Sequence, residues 1–168
     1  VTDLVCTSRA PATWAPLVGE PRLATVSALA VPPAQQPGEL FDFLSHPVMR
    51  GLRRLELGAT DWRSLRLLER APFTIDQAVV ASWGTFTREL EVLREVPLFR
   101  AAKVLGLATT EFINGLVVAD VFQSLVAQAD ALQGFEAVQL ASRYGVFEGS
   151  AAWLLAVDHL GTHLPNVV

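Results

Sequence analysis

Groups of three apolar residues recur along the chain at one spacing. The second residue lies three positions after the first, and the third lies two positions after the second. Short apolar stretches that end in such an alternation predict strands with one buried face. The pattern occurs six times, at Val1, Leu4 and Cys6; Leu23, Val26 and Ala28; Leu52, Leu55 and Leu57; Ile75, Ala78 and Val80; Ala102, Leu105 and Leu107; and Phe135, Val138 and Leu140. The last members are 22, 29, 23, 27 and 33 residues apart, which predicts about six repeated units of irregular length.

Other features recur at linked distances from these strands. Small residues follow most of them, as at Gly58, Ala81 and Ala108, and suit a chain that bends away from closely stacked neighbours. Stretches with helical spacing come next, and two of them are near-copies, SLRLLERAP at 64–72 and LEVLREVP at 90–97. A proline then precedes a strand at positions 21, 47, 72 and 97, where it is expected to end a helix and set an extended approach.

The predicted unit is therefore a strand, a bend, a helix, a proline and the next strand. Such a strand cannot bury its apolar face alone, so we predict that six units stack into one parallel sheet covered by a layer of helices. This is an α/β solenoid with parallel strands on the concave side and helices on the convex side. The alternative is a chance pattern in an Ala- and Leu-rich chain that folds as an ordinary open α/β or all-helical domain.

The repeated strand pattern and its linked helices resemble the leucine-rich-repeat family. The resemblance is narrower to the degenerate bacterial versions found beside repeat-companion domains in myxobacteria and similar organisms, and it covers Val1 to about Arg143. It implies a domain that provides a binding surface and carries no catalytic residues. The family places Asn or Cys three residues after the last apolar strand position, whereas this chain has Arg9, Val31, Thr60, Trp83, Thr110 and Arg143 there.

We predict a single repeat domain over residues 1–168, with repeat units in 1–143 and a terminal helix and tail in 144–168. The chain opens on an apolar alternation without Met. We therefore expect it to be a fragment of a longer protein.

Charge and composition exclude several function classes. The 168 residues carry a net charge of −4, and the 13 basic residues are scattered among acids, so we predict no nucleic-acid partner. Acidic, glycine or glutamine residues break every apolar stretch before the roughly 18 residues that a membrane helix needs, so we predict no membrane partner. Cys6 is the single cysteine, which excludes an internal disulfide and fits a reducing, cytoplasmic location.

No sequence motif for catalysis or phosphate binding is present, so we predict a protein that is not an enzyme and has no cofactor. His159 and His163 are four residues apart, but Gly161 and Pro165 indicate a helix end there and not a metal site. The acids Glu89, Glu91 and Glu95 alternate with arginines and are interpreted as a solvated helix face.

The strand residues that point away from the helices are the candidate functional surface. In the first two units these are Asp3 and Val5, then Thr25 and Ser27. We predict a noncatalytic domain for protein–protein interaction, in which apolar and aromatic residues ringed by polar ones bind a protein partner. The alternative is a structural module that packs against a catalytic or signalling domain of the same longer chain. The predicted partner-binding residues are Arg54, Glu56, Gln77, Val79, Trp83, Val104, Gln139 and Arg143.

Overall fold

A computed structural model describes residues 2–5, 14–32, 37–58, 62–82, 87–109 and 123–142. Within these residues the chain is an α/β protein with one six-stranded parallel sheet, and the strands follow one another across the sheet in chain order. The prediction of a parallel sheet with helices is confirmed. The strands are β1 (Thr2–Val5), β2 (Val26–Val31), β3 (Arg54–Leu57), β4 (Gln77–Ser82), β5 (Val104–Thr109) and β6 (Ala137–Ser142).

Helical segments connect the strands. The α-helices are α1 (Pro37–Leu44), α2 (Trp62–Leu65), α3 (Thr87–Glu95), α4 (Pro97–Arg100) and α5 (Ala129–Leu132), and residues 123–127 are also helical. In the described residues, four 3-10 helices cover Ala15–Gly19, Pro21–Thr25, Pro47–Gly51 and Arg66–Arg70. The helical stretches predicted at 64–72 and 90–97 are therefore present.

Three of the four recurring prolines begin a short helical turn that leads into a strand. Pro21 and Pro47 start 3-10 helices, and Pro97 starts α4. The residue before each proline is extended, with ψ of 112°, 140° and 118° respectively, because the proline ring disfavours the helical region there. Proline fits the first helical position because its missing N–H has no intrahelical partner to lose. The residue before each of these prolines is extended as expected, but the approach to the strand is not, because a one-turn helix lies between the two.

One face of the sheet forms the hydrophobic core with the helices. Leucines of the helices, including Leu40, Leu65 and Leu90, are 0–1% exposed and belong to the same buried cluster as the strand residues. Full burial of such a side chain stabilises the fold by about 1.5–3 kcal/mol. A row in register across β2 to β6 supplies the sheet's part of this core, and its members Leu29, Leu55, Ala78, Leu105 and Val138 are at most 1% exposed.

The predicted assignment of buried strand positions in the second unit is wrong. Ala28, expected in the core, pairs with Arg54 and lies on the opposite face, whereas Leu29 and Val31 are buried. The true core positions are Val26, Leu29 and Val31, which satisfy the same spacing three residues later. An odd shift along a strand exchanges its two faces. The outward residues of β2 are therefore Ala28 and Ala30, and not Thr25 and Ser27.

The small residues after the core positions do not all mark a bend. β4, β5 and β6 continue in register through them, so that Ala81 pairs with Ala108. These two alanines are 1% and 6% exposed and form a small cluster of their own. β3 ends earlier, at Leu57, but the N–H of Gly58 still donates to the carbonyl oxygen of Val31 at 2.7 Å.

A ladder of backbone hydrogen bonds joins the strands at their entrances. The N–H of Arg53 donates to the carbonyl of Ser27, that of Asp76 to Arg53, that of Lys103 to Asp76, and that of Glu136 to Lys103. The four N–O distances are 2.8, 2.7, 2.9 and 2.7 Å. In each case the donor is the residue directly before a strand, from β3 to β6, and it bonds to the entrance of the preceding strand.

Candidate partner-binding surface

Six of the eight predicted partner-binding residues lie together on the face of the sheet opposite the helix core. We call this the outer sheet face, and it is formed by two neighbouring rows in register. The first row contains Ala28, Arg54, Gln77, Val104 and Ala137, and the second contains Ala30, Glu56, Val79, Gly106 and Gln139. Trp83 and Arg143 lie outside the described residues.

The charged part of this face is on β3. Arg54 and Glu56 are two residues apart and therefore point to the same side of the strand. One guanidinium nitrogen of Arg54 lies 3.8 Å from a carboxylate oxygen of Glu56, and the side chains are 52% and 31% exposed. A pair this open to solvent contributes little to stability. Both groups therefore present charge to the solvent side of the sheet.

A shallow cavity of about 100 Å³ lies beside this pair, over β2. Ala28 and Ala30 form its floor because their side chains are short, while Asp3 on β1 and the Arg54–Glu56 pair flank it. Since the sequence frame placed Thr25 and Ser27 on this face, the cavity was missed. Val26, Leu29 and Val31 fit the same spacing and would have exposed Ala28 and Ala30, but spacing alone does not favour them over Leu23, Val26 and Ala28.

On the other half of the face, two glutamine side chains form a hydrogen bond across β5. The side-chain amide of Gln77 on β4 donates to the amide oxygen of Gln139 on β6 at 3.4 Å. This contact spans the intervening strand, where Gly106 carries no side chain. A Cβ atom added at Gly106 would lie 2.9 and 3.2 Å from the two methyl carbons of Val79. Val79 therefore covers the glycine, and glycine is what permits this packing.

The apolar positions of the face have the expected surroundings. Val79, Val104 and Ala137 are half-buried, Val104 and Ala137 in one row and Val79 in the adjacent row, and the two glutamines border them. Apolar residues with a polar rim are typical of protein contact surfaces. The sequence therefore predicted the composition of this half, although not the bridge between Gln77 and Gln139.

One alternative to a binding surface would be a metal centre. No group of three His, Cys, Asp or Glu side chains suited to a metal ion occurs among them. His46 lies before a 3-10 helix, where its Nδ1 accepts from the N–H of Val48 at 3.3 Å, which is a capping contact. Cys6, Ser8, His159 and His163 lie outside the described ranges.

The acidic helix face needs one correction. Glu89 is buried at 9% exposure, so it does not belong to a solvated face. Glu91 is half-buried and pairs with Arg88 at 3.1 Å, while Glu95 is exposed and pairs with Arg66. These ion pairs join α3 to itself and to the neighbouring 3-10 helix.

The comparisons with known proteins returned nothing that bears on this surface: no protein-family model, no curated protein and no solved structure matches the chain. In the stretches that the structure describes, no helix is both long and apolar enough to cross a membrane.

Proposed function

We propose that this chain is a noncatalytic protein-recognition domain of leucine-rich-repeat-like solenoid form, and that the outer sheet face binds a protein partner. Consecutive parallel strand order, a core face repeated in register and the ladder at the strand entrances support the repeat architecture. Each neighbouring pair of units then contributes one strip of the binding surface.

The observation that carries the binding proposal is the placement of Arg54, Glu56, Gln77, Val79, Val104 and Gln139 in two adjacent rows. The rows place an apolar centre next to an Arg–Glu pair and two amides. A face of this kind offers both area to desolvate and hydrogen-bonding groups that fix register. Its residues differ from strand to strand, so it can discriminate between partners.

The test compares two triple variants of matched chemistry. Gln77→Glu, Val79→Arg and Val104→Glu alter the outer sheet face. Gln123→Glu, Ala127→Arg and Gln133→Glu make similar changes at exposed positions near the last described helices. Both variants are first checked for native secondary structure by circular dichroism.

Capture from an extract of the source cells is then quantified by mass spectrometry. We expect a specific partner that the unmodified chain and the control variant retain and the sheet-face variant loses. Retention by the sheet-face variant, or loss from both variants, would overturn the proposal.

A further inference from the structure

The helix layer presents one apolar side chain to solvent. Among the described residues, Leu67 is the large hydrophobic side chain that is exposed, at 49%, while its neighbours Leu65 and Leu68 are 0% and 1% exposed. An isolated exposed leucine needs no explanation by itself. Leu67, however, lies at the edge of a cavity in the helix layer.

The exposure of Leu67 follows from the local helix type. Aligned by their prolines, the near-copies at 64–72 and 90–97 place Leu67 opposite Val92. Val92 lies in α3 and is 1% exposed, whereas Leu67 lies in the 3-10 helix Arg66–Arg70. A 3-10 helix has three residues per turn and an α-helix has 3.6, so equivalent positions rotate to different sides. The position is therefore buried in the segment at 90–97 and exposed in the segment at 64–72.

The cavity beside Leu67 lies between α1 and this 3-10 helix and has a volume of about 440 Å³. Phe41 contributes to its lining and is itself 1% exposed. At the roughly 30 Å³ taken up by a water-sized group, the four carbon atoms of a leucine side chain fit easily. The same patch thus contains an apolar projection and a concave space whose volume is sufficient for one.

Two acidic and two basic side chains line this cavity, and one of each forms no ion pair within the described residues. Arg66 pairs with Glu69 and Glu95. Asp42 and Arg70 also line the cavity and are exposed, and neither has an ion-pair partner within the described part of the chain. The patch therefore offers one carboxylate and one guanidinium of opposite sign.

We propose that this patch binds a second copy of the same chain in a twofold-symmetric dimer. In such an interface each copy supplies the same surface, so a residue i that contacts j is matched by j contacting i. Leu67 of each copy enters the cavity of the other, and Asp42 of each faces Arg70 of the other. A surface that carries both members of each complementary pair is suited to this symmetry.

A contact centred on so few residues is weak. Stable interfaces bury about 1,200–2,000 Å² in total, and smaller ones belong to transient complexes. We therefore expect a monomer–dimer equilibrium with a dissociation constant in the micromolar range, below about 1 mM. Sedimentation velocity should show the average mass rising with concentration from 18.2 kDa toward twice that value.

Charge reversal tests the symmetry directly. Asp42→Arg alone and Arg70→Asp alone each place like charges opposite one another, and we expect the dimer dissociation constant to rise roughly tenfold or more. Mixing these two variants restores both opposite-charge pairs, so dimerisation should return in the mixture. The double variant Asp42→Arg/Arg70→Asp should dimerise for the same reason. A merely structural role of either residue does not produce this rescue.

The control is Arg94→Asp, a matched reversal on the exposed side of α3 that should leave the dimer unchanged. Leu67→Ser should abolish the dimer and keep the fold, because the side chain is half exposed. A protein that stays monomeric up to about 1 mM, or single reversals that leave the mass unchanged, would overturn the dimer. The sheet-face triple variant should dimerise normally, which separates this result from that of the proposed function.

Discussion

On the covered face of the sheet, one row runs Leu29, Leu55, Ala78, Leu105 and Val138, and each member is nearly inaccessible to solvent. On the opposite face, the row one residue earlier runs Ala28, Arg54, Gln77, Val104 and Ala137. The first row varies only in size, because every member must fill a close-packed interior. The second contains a charged residue, an amide and three apolar residues. Interior positions thus hold the strands against the helices, and the outer positions are free to differ between strands.

The largest expected effect is the loss of folding when charge is placed in the covered face. Leu107 is 1% exposed, so Leu107→Asp buries a carboxylate without a partner and should cost about 4 kcal/mol or more. Leu57→Asp should act in the same way. Urea unfolding followed by circular dichroism measures the loss. Leu67→Asp is the matched control at an exposed leucine, and native-like unfolding of the Leu107 variant would contradict the assignment of the two faces.

An intermediate effect is expected where the outer face is closely packed. Gly106→Ala brings a Cβ within 2.9 Å of a Val79 methyl, and overpacking of this kind costs about 1–3 kcal/mol. Alanine also lowers the conformational entropy of the unfolded chain, which offsets about 0.4–1 kcal/mol of this cost. We expect a net loss of about 1 kcal/mol, and Val79→Ala in the same chain should remove it. A double-mutant cycle without coupling would show that the two residues do not share this space.

The smallest effect is expected at the charged pair of the outer face. Arg54 is half exposed and its ion pair with Glu56 is long, at 3.8 Å. Arg54→Ala should therefore change the free energy of unfolding by less than about 0.5 kcal/mol. The urea midpoint, compared between low and high salt, provides the measurement. A loss as large as that of Gly106→Ala would mean that this face contributes to the fold as much as the packed half does.

The sequence predicted the covered face where the apolar spacing has one solution. In the third unit Leu52, Leu55 and Leu57 are flanked by charged residues, so the frame is unambiguous and correct. In the second unit Leu23, Val26 and Ala28 fit the spacing as well as Val26, Leu29 and Val31 do. Local spacing could not choose between them. Leu23 is buried, but from a 3-10 helix before the strand.

Two further features depended on contacts that sequence spacing does not encode. The bridge from Gln77 to Gln139 joins residues 62 positions apart. Leu67 is exposed because its segment forms a 3-10 turn, whereas the near-identical segment at 90–97 begins within an α-helix. Helix type in a short segment is decided by packing against neighbours and not by its own residues.

The ladder at the strand entrances has a mechanical consequence. Its hydrogen bonds run from strand to strand, from Ser27 through Arg53, Asp76 and Lys103 to Glu136. Tension applied across the sheet, perpendicular to the strands, therefore loads these junctions in series, and each bears the full force. Rupture then begins at the weakest junction and leaves the others paired, so the chain yields in separate steps and releases one strand with its connection at a time.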